Sequence, residues 1–416
     1  SVEATNGIGL AGLPFGYWIA PVVSISEDTM RQYFEKLATE IYIAPTNARY
    51  EWKDGVVQGV SGQDGLQLNV EATMETILQD PMETHGSDVE LVTNTISPAV
   101  RQPDTYLPLI QEMLITPFEV VAYNPFDDTR ATFVPQPQTI VSWFEAGETG
   151  LVIRERQLID SIKVLNEDPT SGLPEGAYLD SEEVLSAIQQ SITDGSMQAL
   201  TTMRFHPSMY EVVAGDTGFK ISRKTGIPFF LIEESNPDID LSVLSPGDII
   251  NLPSRDVTIP LPVVNNKRIV VDLETQSMVA FEDGQVVFSW QISSGIAEAP
   301  TSPGIYQILN HEPVAYGSSY ALCDETSCGQ WELNWFMGIY EVVPGLVNGF
   351  HGAVLLPNGA YLGGNNVGAP YTLGCVMSRD EQAKQLYDWA ELGTIVEIIS
   401  DEFSPKSDLA RLAFDL

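Results

Sequence analysis

Apolar residues recur at helical spacing in the N-terminal half of the chain and alternate with polar ones in the C-terminal third. Met30, Phe34, Leu37 and Ile41 lie on one helical stripe. Ser26 stands where its hydroxyl can accept an unpaired N–H of the first turn. The stripe leads into ARYEWKDGVVQGV, two alternating runs around Asp54-Gly55, a dipeptide that suits a tight hairpin. Further on, GLQLNVEATMETILQDPMETHGSDVELVTNTISP (65–98) parallels GAYLDSEEVLSAIQQSITDGSMQALTTMRFHPS (176–208). Each passes from a glycine through a capping residue, Asn69 or Asp180, into a helix and then an alternating strand. Val70, Met74 and Ile77 form one stripe, Val184, Ile188 and Ile192 the other, and both predict core positions. A helix around Leu158, Ile162 and Leu165 precedes the second copy as the Ser26 helix precedes the first. The pattern predicts an α+β module of roughly 100 residues used twice. The proline-rich stretch 98–137 reads as a connector passing into edge strands.

From 210 to 254 the pattern predicts a short strand, a helix with Phe219 and Ile221 facing in, a second helix over 229–234, and a closing strand over 248–252 after a Pro-Gly turn. RIVVDLETQSMVAFEDGQVVFSWQISSG then alternates like antiparallel strands turning at Asp283-Gly284, and TSPGIYQI adds a turn and another strand. One clear helix, 381–390, closes this β-rich region and presents Leu386 and Trp389 on one face.

Length modifies the picture: at 416 residues the chain predicts about three domains. A hydrophobic content of 44% supplies apolar surface for folded cores. The formal charge of -37, from 57 acidic against 20 basic residues, argues against nucleic acid and anionic membranes as partners, since phosphates need cations. A solubilising surface is the simpler account of this acidity, adaptation to salt or an acidic exterior the other. The segment 4–26 carries no charge but is broken by glycine and proline, and reads as loop and strand rather than a membrane span. The start at Ser1 without methionine is the expectation for a processed or engineered end, and a membrane link is expected only through an anchor ahead of it.

Candidate chemistry is sparse. His85 and His206 stand alone, and no Cys/His set has metal-ligand spacing, so no metal is expected. Cys323 and Cys328, in CDETSC, are close enough to close a small disulfide loop outside the cytoplasm, with two reduced thiols as the alternative. The third cysteine, Cys375, lies in YTLGCVMSR. Gly374 permits a backbone path that exposes a sulfur, and the amides of Gly374 and Cys375 could form an oxyanion hole. His351, with 23 residues between it and Cys375, could lower the thiol pKa and shuttle its proton. Composition alone favours a buried, inert thiol.

Family resemblance changes that balance. Residues 267–400, with IVVDLETQSMVAFEDGQVVFSWQISSG, TSPGIYQI, His351-Gly352, Thr372-Leu373-Gly374-Cys375-Val376 and LYDWAELGTIVEI, resemble the catalytic domain of L,D-transpeptidases, cysteine enzymes of bacterial peptidoglycan. The resemblance implies a mainly-β, sandwich-like domain without a cofactor. It implies Cys375 as nucleophile, His351 as base and acid, and amides of Gly374, Cys375 and Leu373 as oxyanion donors. Gly352 and Thr372 would shape the turns. Where the family usually carries an arginine, Met377 stands, and Arg379 is the candidate to replace it in holding a substrate carboxylate. The segment 315–336 is a candidate lid, or a disulfide-pinned loop.

Residues 210–254 resemble a lysin-motif (LysM) module through Tyr210, Val212, Gly215-Asp216-Thr217, Gly226-Ile227, Asn236, Pro246-Gly247-Asp248 and Leu252-Pro253, which implies a βααβ fold and N-acetylglucosamine-containing glycans as partner. Residues 20–208 resemble tandem peptidoglycan-binding repeats. The expected order is repeat 1 over 1–116, repeat 2 over 117–208, LysM over 209–254, a linker over 255–266, the catalytic domain over 267–400 and a tail over 401–416. The expected function is cleavage of a terminal D-amino acid from a stem peptide through a Cys375 thioester and transfer to an amine, giving 3-3 cross-links in the cell envelope. Hydrolysis of the same thioester by water, and a non-catalytic wall-binding scaffold, stay open as alternatives.

Overall fold

The computed structural model describes residues 25–79, 88–116, 118–317, 331–355, 359–362 and 366–414. Cys323, Cys328, His85 and most of the uncharged N-terminal segment lie outside them. The described chain forms two compact units, one of 1–118 with 135–161, the other of 119–134 with 162–416. Strand pairing carries 119–134 into the second unit: Glu119–Asn124 finds its parallel partner in Gln198–Phe205, far along the chain.

In the first unit Ser26 accepts from the Thr29 amide at the head of helix Glu27–Ile41. Its stripe closes a small core in which Phe34, Leu68 and Met74 are buried and Met30, Leu37 and Ile41 pack around them. Asp54 and Gly55 take φ of 53° and 80°, which the hairpin of Arg49–Lys53 with Val56–Val60 requires. Strand Gly65–Leu68 leads into helix Val70–Gln79, headed by Asn69, and pairs back antiparallel with Thr93–Ile96.

The second unit repeats this strand–helix–strand order with Ala177–Leu179, Ser181–Asp194 and Gln198–Phe205. Asp180 caps the helix by accepting from the Glu182 and Glu183 amides. Here the closing strand joins a four-stranded sheet. Glu119–Asn124, expected at an edge, is an inner strand of that sheet with Val120 to Asn124 buried. Next come Ser208–Glu211, helices Gly218–Thr225 and Phe229–Glu234, and Ile249–Leu252, the outer strands pairing antiparallel. Ile221 is fully buried, but Phe219 is 63% exposed and stacks on Phe229. Two residues apart on a helix cannot share a face, so the expected inward pair resolves to one.

The remaining chain builds two five-stranded sheets. In the first, Val264–Asp272 pairs antiparallel with Ser277–Glu282 and parallel with Thr394–Ile399, and Gln285–Gln291 and Gly304–Gln307 lie at the edges. The second contains Glu312–Gly317, Trp331–Val343, Leu346–His351, Val354–Leu355 and Val376–Met377. Ile269, Val271, Met278 and Val396 of the first form one buried cluster with Met337, Ile339, Phe350 and Val376 of the second, the sandwich expected of alternating strands. Helix Asp380–Trp389 buries Leu386 against it. The expected C-terminal tail instead forms helix Asp408–Ala413, whose Ala410 packs on Val270, Val279 and Phe281 at the other face of the first sheet.

One charge pair lies inside this unit. Arg268 donates to Glu397 at 2.8 Å and to the Pro125 carbonyl at 2.6 Å, with both charged side chains at most 2% exposed. Glu397 also accepts from the Lys406 and Ser407 amides and the Ser407 hydroxyl, tying the C-terminal helix to the sheet. Removing one partner of such a pair strands the other charge. Glu397→Ala is expected to cost about 3–5 kcal/mol, read as faster hydrogen exchange along Thr394–Ile399; a change below about 1 kcal/mol would mean that the pair does not hold the sheet.

Candidate active site

His351 ends one strand and Cys375 immediately precedes another, and the two strands pair in parallel, Phe350 with Val376 and His351 with Met377. This register sets Cys375 beside Asn348 and Gly349. The thiol donates to Asn348 Oδ1 at 3.6 Å, and the Asn348 amide group donates to Tyr340 Oη at 3.3 Å. Tyr340 in turn donates to the Gly374 carbonyl and accepts from the Ser302 amide at 2.8 Å. These polar groups fix the nucleophile turn from beneath.

The turn itself depends on glycine. Gly374 has φ of 109°, and a Cβ there would stand 2.2 Å from Asn348 Nδ2. Thr372 donates its hydroxyl to the Cys375 carbonyl at 2.7 Å, a local bond that closes the turn around the sulfur. Thr301 reaches the same carbonyl at 3.4 Å. Among the described residues, no protein acceptor takes the amides of Leu373, Gly374 or Cys375.

His351 is 2% exposed, and its Nδ1–H donates to the Gly352 carbonyl at 2.7 Å, leaving Nε2 as the basic nitrogen. Gly352 permits close packing: a Cβ would meet Asp380 Oδ1 at 2.5 Å. Burial pushes the His351 pKa down to about 4, against the raising effect of the Gly352 bond. Although partly open to the cavity, the Cys375 thiol is closely surrounded by protein, and this burial pushes its pKa up to about 11, with the Gly349 amide opposing. Contrary to the expected lowering of the thiol pKa, burial favours the neutral thiol and the neutral imidazole.

One hollow of about 530 Å³ holds the whole set: His351, Cys375, Thr372, Leu373 and Asn348 line it, with Tyr316, Trp331 and Phe336 as aromatic walls. Strands Glu312–Gly317 and Trp331–Val343, paired from Glu312 with Phe336 to Gly317 with Trp331, flank it. The expected lid segment between them, 318–330, and its two cysteines lie outside the described residues. The expected substrate contacts Met377 and Arg379 do not line the cavity. Met377 is fully buried with Trp331 and Val354 in an apolar cluster, and Arg379 is exposed at the head of helix Asp380–Trp389. Asn348, Tyr340 and Thr301 escaped the sequence reading because only strand register brings them to the turn. His206, taken as solitary, stacks on Tyr178.

Residues 266–398 match the L,D-transpeptidase catalytic domain family, YkuD, and residues 13–87 match a family of peptidoglycan binding domains. The chain thus carries an L,D-transpeptidase catalytic domain and a peptidoglycan-binding domain. No curated protein matches it. Among solved structures, a cysteine-to-serine mutant of the Enterococcus faecium L,D-transpeptidase is 16% identical, covering 71% of this chain and 100% of that one, with a TM-score of 0.32. The catalytic domain of the E. faecium enzyme is 25% identical over 32% of this chain and 96% of that one, with a TM-score of 0.25. A Mycobacterium smegmatis L,D-transpeptidase is 14% identical over 47% and 91%, with a TM-score of 0.27.

The two shifts predict how the thiol reacts. The thiolate fraction is small at neutral pH and grows as pH climbs toward about 11. Alkylation of Cys375 by iodoacetamide, followed by peptide mass, is expected to rise close to tenfold per pH unit from about 7 to about 10. A rate already level at neutral pH would instead mean a preformed thiolate and imidazolium.

Proposed function

We propose that the chain is a cell-envelope L,D-transpeptidase acting on peptidoglycan stem peptides, with Cys375 as nucleophile and His351 as general base and acid. The observation that supports this most is the parallel pairing of two strand ends that sets a thiol and an imidazole on one cavity beside three amides that no described residue accepts from. In this reading, Nε2 of His351 takes the thiol proton as the sulfur attacks the carbonyl between the third residue and the terminal D-amino acid. The amides of Gly374 and Cys375, with Leu373, hold the oxyanion. His351 returns the proton to the leaving amine, the D-amino acid departs, and a thioester is left on Cys375. An amine on a second stem peptide attacks that thioester through a second tetrahedral state, restoring the thiol and forming a 3-3 cross-link.

Because the resting pair is neutral, proton transfer accompanies attack rather than preceding it. Thr372 holds the turn, and Gly352 lets His351 sit close over the following helix. The βααβ segment 208–252 is the proposed glycan-binding LysM module, and a Cys323–Cys328 disulfide suits the same extracellular setting.

Purified muropeptides with the full chain are expected to give cross-linked dimers by mass, and trimmed monomers alone would point to a carboxypeptidase. A carbapenem is expected to add its mass at Cys375. Cys375→Ala is expected to abolish both adduct and turnover, and His351→Ala to slow acylation by about 10²-fold or more. An adduct that survives the Cys375 change would put the nucleophile elsewhere. Retention on insoluble peptidoglycan is expected to persist in both variants, since binding is assigned to other segments; loss of retention in Cys375→Ala would tie binding to the catalytic cavity.

A further inference from the structure

A second cavity, of about 370 Å³, lies in the same compact unit, away from Cys375 and His351. The chain has only 20 basic residues against a net charge of -37, yet four of them, Lys224, Arg255, Lys406 and Arg411, line this one hollow. Two are already neutralised. Lys224 pairs with Asp216 at 2.5 Å, and Arg411 pairs with Asp408 three residues earlier on its helix. The other two are not: among the described residues, no carboxylate or carbonyl accepts from the Arg255 guanidinium or the Lys406 ammonium.

Arg255 is held by aromatic faces instead. Its Cζ stands 3.5 Å from the Phe205 ring centroid and 4.6 Å from that of Phe126, and those rings meet edge to face. Lys406 Nζ lies 4.7 Å from the Phe403 centroid. Such contacts fix a cation's position without consuming its hydrogen-bond donors. Partial burial disfavours the Arg255 charge and draws its pKa down, with Asp256 and Asp127 opposing. Asp127 is the acid that lines the hollow, and its Oδ1 is occupied by the Thr129 amide and hydroxyl. Asp256 turns one oxygen to the Phe205 amide at 2.7 Å. The cations thus present free N–H groups to a space that Ile305 and Phe403 line on an apolar side and Thr225, Gly226 and Thr258 complete.

We propose that this hollow is an anion site that takes the phosphate group of a polyol or sugar phosphate, with Arg255 and Lys406 gripping the oxygens and the apolar wall meeting the carbon skeleton. A guanidinium fork and an ammonium match phosphate oxygens better than a single flat carboxylate. The hollow is of ordinary ligand size. The site is distinct from the catalytic cavity and stands whether or not Cys375 is the nucleophile.

Calorimetric titration of the full chain with glycerol 3-phosphate, inorganic phosphate and glucuronate tests it. Glycerol 3-phosphate is expected to bind saturably and more tightly than the other two. Arg255→Gln and Lys406→Gln are each expected to weaken it by about tenfold or more, while Lys53→Gln, in the other compact unit, leaves it unchanged. Thermal melts accompany each variant; if Arg255→Gln unfolds, the half-buried Lys406 carries the decision alone. Tighter binding of glucuronate would overturn the phosphate assignment. Inorganic phosphate binding as tightly as glycerol 3-phosphate would remove the carbon-skeleton subsite. No saturation at millimolar concentration, or binding indifferent to both substitutions, would overturn the site.

Discussion

Two residue pairs of parallel strand carry the catalytic arrangement. Phe350 with Val376 and His351 with Met377 join the end of one strand to the start of another across 24 intervening residues. Parallel pairing cannot be made by a tight turn, so it needs the chain between to travel away and return. Its register sets the sulfur over Asn348 and Gly349 rather than over any residue near it in sequence. The nucleophile turn, the positive φ of Gly374 and the Tyr340 network follow from that register, because each fills space the pairing leaves. The apolar core behind it, with Phe350 and Val376 fully enclosed, holds the two strands in place.

Burial then decides the electrostatics. Despite the charge of the chain as a whole, among the described residues no acidic side chain lines the cavity near Cys375 or His351 apart from Glu312 at its far strand. Desolvation is therefore the leading influence on both groups, and it acts in opposite directions on an acid and a base, keeping each neutral. A neutral thiol is less easily oxidised or alkylated than a thiolate, and it becomes a nucleophile when its proton has somewhere to go. The Gly352 carbonyl supplies the orientation, since holding Nδ1–H leaves Nε2 to receive that proton.

The same physics run the other way in the second cavity. There Arg255 and Lys406 have no ion-pair partner among the described residues and stand over Phe205, Phe126 and Phe403. The contrast with Arg268 is instructive: that guanidinium is deeply buried and bound to Glu397 and the Pro125 carbonyl. Arg268 has both terminal nitrogens bound by the protein and joins two parts of a fold, and Arg255 leaves its donors facing a hollow.

Local chemistry was legible in the sequence wherever the determining atoms are close along the chain. Ser26 and Asp180 as caps, Asp54-Gly55 and Asp283-Gly284 as hairpin turns, the stripes of Phe34 and Val184, and the Gly374-Cys375 turn all depend on neighbours within a few residues. Periodicity also separated the helical N-terminal half from the β-rich remainder, because a period near 3.6 and a period of 2 bury different sets of side chains. Long-range pairing was not legible. The inner position of Glu119–Asn124, the crossing of the chain between two units, the docking of helix Asp408–Ala413 and the burial of Met377 each rest on contacts between distant segments. The pKa directions belong there too, for a histidine's or a thiol's solvation is set by everything packed around it. The residues near Cys375 in sequence named the chemistry; those brought to it by strand register, Asn348 and Tyr340, and the enclosure they complete were decided only when the sheets closed.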